Sequence, residues 1–259
     1  MERKKELQYL IQVLLTEMPE YRAQAAFFPA DETAQRRLLR SLMNLRPPVP
    51  ASEDFLKVQD AYLQERLVQR GVTKLENLEP VRPGLCLWQG DITTLAVDAI
   101  VNAANSQMLG CFVPCHGCID NAIHTYAGVQ LRLECAGIMG RQGHEEETGR
   151  AKLTKAYNLP SRYVLHTVGP IVQGAVTQAD RELLASCYRS CLDLAAEHGL
   201  HSVAFCCIST GEFHFPNQLA AEIAIQTVEG WQRQNPDQIE VIFNVFKDSD
   251  YEIYKRLLR

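Results

Sequence analysis

Residues 97–105 read VDAIVNAAN, an apolar run that closes on a pair of asparagines. A short stretch of Val, Ile and Ala with a polar end is the pattern of a strand covered on both faces, as in a parallel sheet. The same pattern recurs on both sides. LCLWQGDIT over 85–93, YVLHTVGP over 163–170, SVAFCCIST over 202–210 and IEVIFNVF over 239–246 are apolar runs bounded by polar or glycine-bearing segments. Helical spacing lies between them, at about 119–139, 179–198 and 216–232, the last with a proline near its start, and again at the C-terminus. Such alternation predicts an α/β fold, a mixed central sheet flanked by helices in three layers.

Upstream of residue 84 the character changes. Residues 1–75 read as helix, loop and helix: Leu10, Val13 and Leu14, then Leu38, Leu39, Leu42 and Met43, recur at helical spacing until PPVP at 47–50 breaks the pattern. The opening MERKKELQYLIQVLLTEMPEYR reads as an amphipathic helix, because Gln and Glu interrupt its apolar part and no small-residue cleavage site follows. The expected division is a helical extension over 1–75 and an α/β domain over 84–259. With no cluster of Cys, His or paired carboxylates to carry chemistry, the extension is expected to pack or to select partners.

A hydrophobic content of 46% with 22% charged residues describes a soluble folded chain. No segment approaches the roughly 18 uninterrupted apolar residues that cross a membrane. The net charge of −5, with no long Lys/Arg run, argues against polymeric nucleic acid as a partner. Nine cysteines without the spacing of a secreted disulfide framework imply reduced thiols and a cytoplasmic protein. Cys206 and Cys207 fall in a strand pattern, and Cys187 and Cys191 share a helical face with Leu184 and Leu194, so core packing accounts for them.

In open α/β sheets ligands lie beyond the carboxyl ends of the strands. Polar residues gather there: Gln89-Gly90-Asp91-Ile92, Asn102-Ala103-Ala104-Asn105, and Ile208-Ser209-Thr210-Gly211-Glu212-Phe213. In ISTGEFHFP the small residues let backbone approach a ligand, and successive N–H groups before a helix can cradle phosphate. The asparagines also suit turns, and Asp91 a helix cap.

Taken in order, GDIT, VDAIVNAAN, IDNAIHTYAG, YVLHTVGP and ISTGEFHFP resemble the macrodomain family across 84–259. That resemblance implies a macrodomain fold that binds ADP-ribose. It places Asp91 and Ile92 at the adenine, Asn102 and Asn105 near the distal ribose, and Ser209, Thr210, Gly211, Glu212 and Phe213 around the diphosphate. One segment departs from the MacroD-like hydrolases: their glycine run is replaced by LGCFVPCHGCIDNAIH over 109–124. Positions 111–124 hold three of the nine cysteines and two of the seven histidines, the usual ligands of zinc. This resembles the zinc-dependent branch found in bacteria and some fungi, where the metal sits beside the scissile bond.

His116 and Cys118 flank Gly117 in the loop, and His124 follows Asp120 by one helical turn on the same face. The expected ligands are therefore His116, Cys118 and His124, with the fourth position open to water or substrate; Cys111 is the alternative to one of them, and Cys115 a bystander. His166 reads as a core histidine and His144 as part of a solvated loop. The expected activity is zinc-dependent removal of mono-ADP-ribose from a protein side chain, with Asp120 activating water or holding the ribose and Asn102 and Asn105 orienting it. A non-catalytic ADP-ribose module and an O-acetyl-ADP-ribose deacetylase are the alternatives. The resemblance further implies a sirtuin-type transferase and a modified lipoyl-carrier protein as partners in oxidative stress.

Overall fold

The computed structural model describes residues 2–259, with side chains from residue 5 onward; Met1 of the expected first helix lies outside the described residues. The helices are α1 (Glu2–Glu17), α2 (Arg22–Ala25), α3 (Glu32–Leu45), α4 (Glu53–Arg70), α5 (Ile119–Ala127), α6 (Val129–Gln142), α7 (Gln178–Glu197), α8 (Asn217–Gln234) and α9 (Asp248–Leu257). The strands are β1 (Thr73–Lys74), β2 (Pro80–Arg82), β3 (Leu85–Gln89), β4 (Leu95–Ala96), β5 (Ala99–Ala104), β6 (Ala151–Lys155), β7 (Tyr163–Val168), β8 (Ser202–Phe205) and β9 (Glu240–Val245).

Seven strands form one sheet in the order β2-β3-β9-β8-β5-β7-β6. Its five inner strands run parallel, and β2 and β6 close the edges antiparallel. The inner strands are mostly apolar because helices cover both faces: Ala99, Ile100 and Val101 of β5 and Val203 and Ala204 of β8 are wholly buried. The parallel arrangement brings the C-terminal ends of β3, β8 and β5 to one edge of the sheet. The mixed sheet flanked by helices is the three-layer α/β arrangement that the sequence predicts. Among the described residues no helix is long and apolar enough to cross a membrane.

Three expectations change. The helix expected over 119–139 is two helices, broken at Gly128, whose φ is +98°. A Cβ there would meet Gln59 Nε2 at 2.7 Å, and Gln59 Oε1 accepts from Val129 N at 2.9 Å, capping α6 from outside the α/β layers. Strand β8 ends at Phe205, so Cys206 and Cys207 lie in the loop that follows. Finally, the N-terminal portion adds a third long helix, α4, beyond the break at PPVP.

Leu7, Leu10, Leu14, Leu38, Leu39, Leu42, Phe55 and Leu63 form their own hydrophobic cluster, which Val129 joins from α6. Polar bonds complete the junction. Gln59 and Asp60 bind Gln130, Asp60 binds the Asn158 amide at 2.7 Å, and β1 pairs with β4.

Candidate active site

Past β3, Asp91 caps a short helical turn, its Oδ1 accepting from Thr93 N at 3.0 Å and Thr93 Oγ1 at 2.6 Å. Its Oδ2 meets Arg70 Nη1 at 3.0 Å, and the Arg70 guanidinium lies 3.6 Å above the Tyr126 ring. Ile92 beside it is buried. Past β5, Asn105 folds the chain back: its Oδ1 accepts from Gln107 N and Met108 N at 3.1 Å, and its Nδ2 donates to Gly110 O at 3.2 Å.

Past β8, Ser209 adopts φ +64° and His214 +56°, and Phe215 N donates to Ser209 O at 2.9 Å. This tight turn leaves the amides of Gly211, Glu212 and Phe213 without an acceptor among the described residues. A Cβ on Gly211 would meet nothing within 4 Å, so its backbone borders open space. Unpaired amides leading into the helix α8 have the geometry that can cradle an anion. Gly169 makes room behind it, since a Cβ there would strike Ser209 Oγ at 2.0 Å.

The Cys/His loop begins at Gly110, with φ +80° and the His124 ring 2.8 Å from where a Cβ would stand. Donor atoms of Cys111, His116 and Cys118 all lie within 4.8 Å of one another, with Cys111 Sγ 3.6 Å from His116 Nδ1. A tetrahedral zinc with Zn–S of about 2.3 Å and Zn–N of about 2.1 Å separates its ligands by roughly 3.5–3.8 Å, so the donor set fits that ion. Cys118 also caps α5, its Sγ accepting from Asn121 N at 3.4 Å. Burial pushes its thiol up to about 12, so binding a metal there means displacing a proton. His116 Nε2 faces Glu212 Oε1 at 3.6 Å, linking this loop to the anion cradle across the cleft. Cys115 turns away, its Sγ 3.3 Å from Ser41 Oγ.

His124 does not join this group. It is gathered instead with Cys135 and His166, all three buried, and its Nε2 lies 3.5 Å from Asp120 Oδ1. Asp120 and His124 do share a helical face, but α5 packs that face onto the sheet, so Cys111 takes the place expected for His124. Asn102, expected near the distal ribose, is likewise wholly buried in β5, where its Nδ2 donates to Asp120 Oδ1 at 2.8 Å. Burial raises the Asp120 carboxyl to about 6 against the lowering pull of the Asn102 bond and the Arg132 charge. His166 is a core histidine, 3.2 Å from Asn102 Nδ2 and 2.9 Å from Thr154 Oγ1, and burial lowers it to about 3. His144 is exposed.

Sequence reasoning missed Arg70 at Asp91 and the α3 side chains that reach the Cys/His loop. Neither carries a local signal, because both act across long chain separations; only Asn121, next to Asp120 at the start of α5, lay within sight.

Residues 101–224 match the Macro domain family. The chain is 58% identical over 254 residues to a protein-ADP-ribose hydrolase of Treponema medium, covering 96% of this chain and 97% of that one. It is 44% identical over 248 residues to a probable bifunctional ADP-ribose hydrolase/ADP-ribosyltransferase of Fusarium oxysporum f. sp. cubense, covering 88% of this chain and 42% of that longer protein. A Trypanosoma brucei macrodomain in complex with ADP-ribose superposes with a TM-score of 0.67 at 33% identity, covering 85% of this chain and 95% of that one.

Proposed function

The chain belongs to the macrodomain family, and from that premise we propose that it is a protein-ADP-ribose hydrolase that uses zinc to release mono-ADP-ribose from a modified side chain. That it is a hydrolase follows from its identity to protein-ADP-ribose hydrolases over nearly its whole length. The observation that carries the zinc reading is the convergence of Cys111, His116 and Cys118 in the loop between Asn105 and Asp120.

The amides of Gly211, Glu212 and Phe213 hold the diphosphate, with Ser209 and Thr210 shaping the turn. Asp91, whose carboxylate keeps acceptor capacity beside Arg70 and Thr93, takes the adenine amino group, and Ile92 backs the ring. Asn105 shapes the turn at the distal ribose. Asp120, held by Asn102, accepts a proton or hydrogen bond from water or a ribose hydroxyl at that end. Cys111, His116 and Cys118 would hold zinc, which when bound supplies Lewis-acid stabilisation of oxygen charge next to the bond that breaks. The Glu212 carboxylate, 3.6 Å from the outer His116 nitrogen, favours a proton on that nitrogen and so leaves Nδ1 to face the Cys111 thiol.

The fused transferase of the Fusarium relative supports pairing with an ADP-ribosyltransferase; the sirtuin-type enzyme and lipoyl-carrier target remain the expected partners. The test is release of ADP-ribose from a mono-ADP-ribosylated protein by metal-loaded and chelator-treated enzyme. Equal rates would remove zinc from the mechanism and leave the hydrolase assignment standing.

A further inference from the structure

The geometry points beyond the α/β layers: we propose that Arg40 and Asn44 of α3 are positioning residues that hold the Cys/His loop in ligand-binding shape, so that the N-terminal helical unit completes the active site. This rests on the reading of Cys111, His116 and Cys118 as the zinc site.

Within residues 109–118 the loop makes a single internal backbone bond, His116 N to Val113 O. Its remaining order comes from outside. Arg40 Nη2 donates to His116 O at 3.1 Å and to Asn121 Oδ1 at 2.7 Å. Asn121, so oriented, donates through Nδ2 to Val113 O at 3.0 Å while its backbone N reaches Cys118 Sγ. Asn44 Oδ1 accepts from Cys115 N at 2.9 Å, and its Nδ2 donates to Thr125 Oγ1 on α5 at 2.9 Å. Arg132 joins the two sides, donating to Leu109 O at 2.7 Å and to Asn44 O at 2.8 Å.

The carbonyl of His116 and the amide of Cys115, both inside the ligand loop, are thus gripped by side chains from a helix more than sixty residues upstream. Apolar packing alone, as in the neighbouring cluster of α1, α3 and α4, would leave the carbonyl and amide of the ligand loop unoriented. Instead, a guanidinium spans a ligand's own carbonyl and the amide that steers its neighbours, a geometry that lysine cannot reproduce. Partners that orient ligands are worth about 10–100-fold in metal affinity.

The test measures zinc affinity by competition with a chelator in the full chain, alongside thermal melting and ADP-ribose calorimetry. Arg40→Gln keeps the apolar stem and loses the charged fork; Asn44→Ala loses both bonds. Both are expected to bind zinc about 10–100-fold more weakly than the wild type while ADP-ribose affinity holds. Arg36→Ala, on the same helix but paired with Glu32, is expected to keep wild-type zinc affinity. Linkage also requires that zinc slow hydrogen exchange over residues 32–45 of the wild type, which needs no variant and decides the matter if Arg40→Gln unfolds. Wild-type zinc affinity in folded Arg40→Gln, an equal loss in Arg36→Ala, or exchange over 32–45 indifferent to zinc would each overturn the proposal. A wild type that binds no zinc fails at the underlying reading instead.

Discussion

Two His/Cys triads flank α5 and differ in nearly everything but donor type. Cys111, His116 and Cys118 are half-exposed beside the cleft; His124, Cys135 and His166 are buried against the sheet. In the buried triad His166 already has work: with the Asn102 amide donating to Nδ1, the ring is neutral and its Nε2–H donates to Thr154. A metal ion there would have to displace Thr154 and reach a dry interior. In the open triad the His116 Nδ1 faces a thiol and its Nε2 a carboxylate across the cleft. Donor type and proximity nominate both groups, and His124 even keeps both ring nitrogens without a hydrogen-bond partner, so access is what separates them.

The strongest way to break this comparison is to remove thiols from each side. Cys111→Ala or Cys118→Ala is expected to strip zinc and lower hydrolysis by about a thousandfold or more, because Lewis-acid stabilisation is worth several kcal/mol. Folding should persist, and Cys135→Ala should leave metal content alone. Metal analysis with ADP-ribose release checks both; equal loss from Cys135→Ala would erase the distinction.

Gly211→Glu sharpens it next by separating ligand from metal. A carboxylate at the unpaired amides should weaken ADP-ribose by at least about 100-fold, near 3 kcal/mol, with zinc stoichiometry retained. Calorimetry that finds wild-type affinity would move the diphosphate elsewhere. For the buried triad, His166→Ala should cost about 2–3 kcal/mol of stability by leaving Asn102 and Thr154 unpaired, read as a lower urea midpoint at unchanged zinc content. The smallest effect is expected far from both triads, where Asp91→Ala should weaken ADP-ribose about tenfold, or 1.4 kcal/mol, and leave the metal untouched. An unchanged Kd in that variant would remove Asp91 from the adenine site.

Much of the fold was legible because parallel strands covered on both faces must be apolar, and VDAIVNAAN, YVLHTVGP and IEVIFNVF carry that requirement locally. The small edge strands were not, since Pro80–Arg82 of β2 and Ala151–Lys155 of β6 are short and only partly buried. The break at Gly128 was hidden for another reason: the residue that caps α6 there is Gln59, supplied from α4. The candidate site divides along the same line. Backbone devices such as the Asn105 turn, the Asp91 cap and the 209–213 loop depend on neighbouring residues and were readable.

The sequence by itself determined that Cys and His side chains concentrate in residues 111–124 and that Asp120 and His124 share a helical face, because spacing along a chain dictates which side chains are neighbours. Only the tertiary structure decided which way that face points. Helical periodicity carries no information about the axis it is packed against, and with α5 laid on β5 the shared face turns to the sheet. The Gly110 turn then carries Cys111 to His116 and Cys118, and α3 lends the loop the hydrogen bonds that its own backbone does not make.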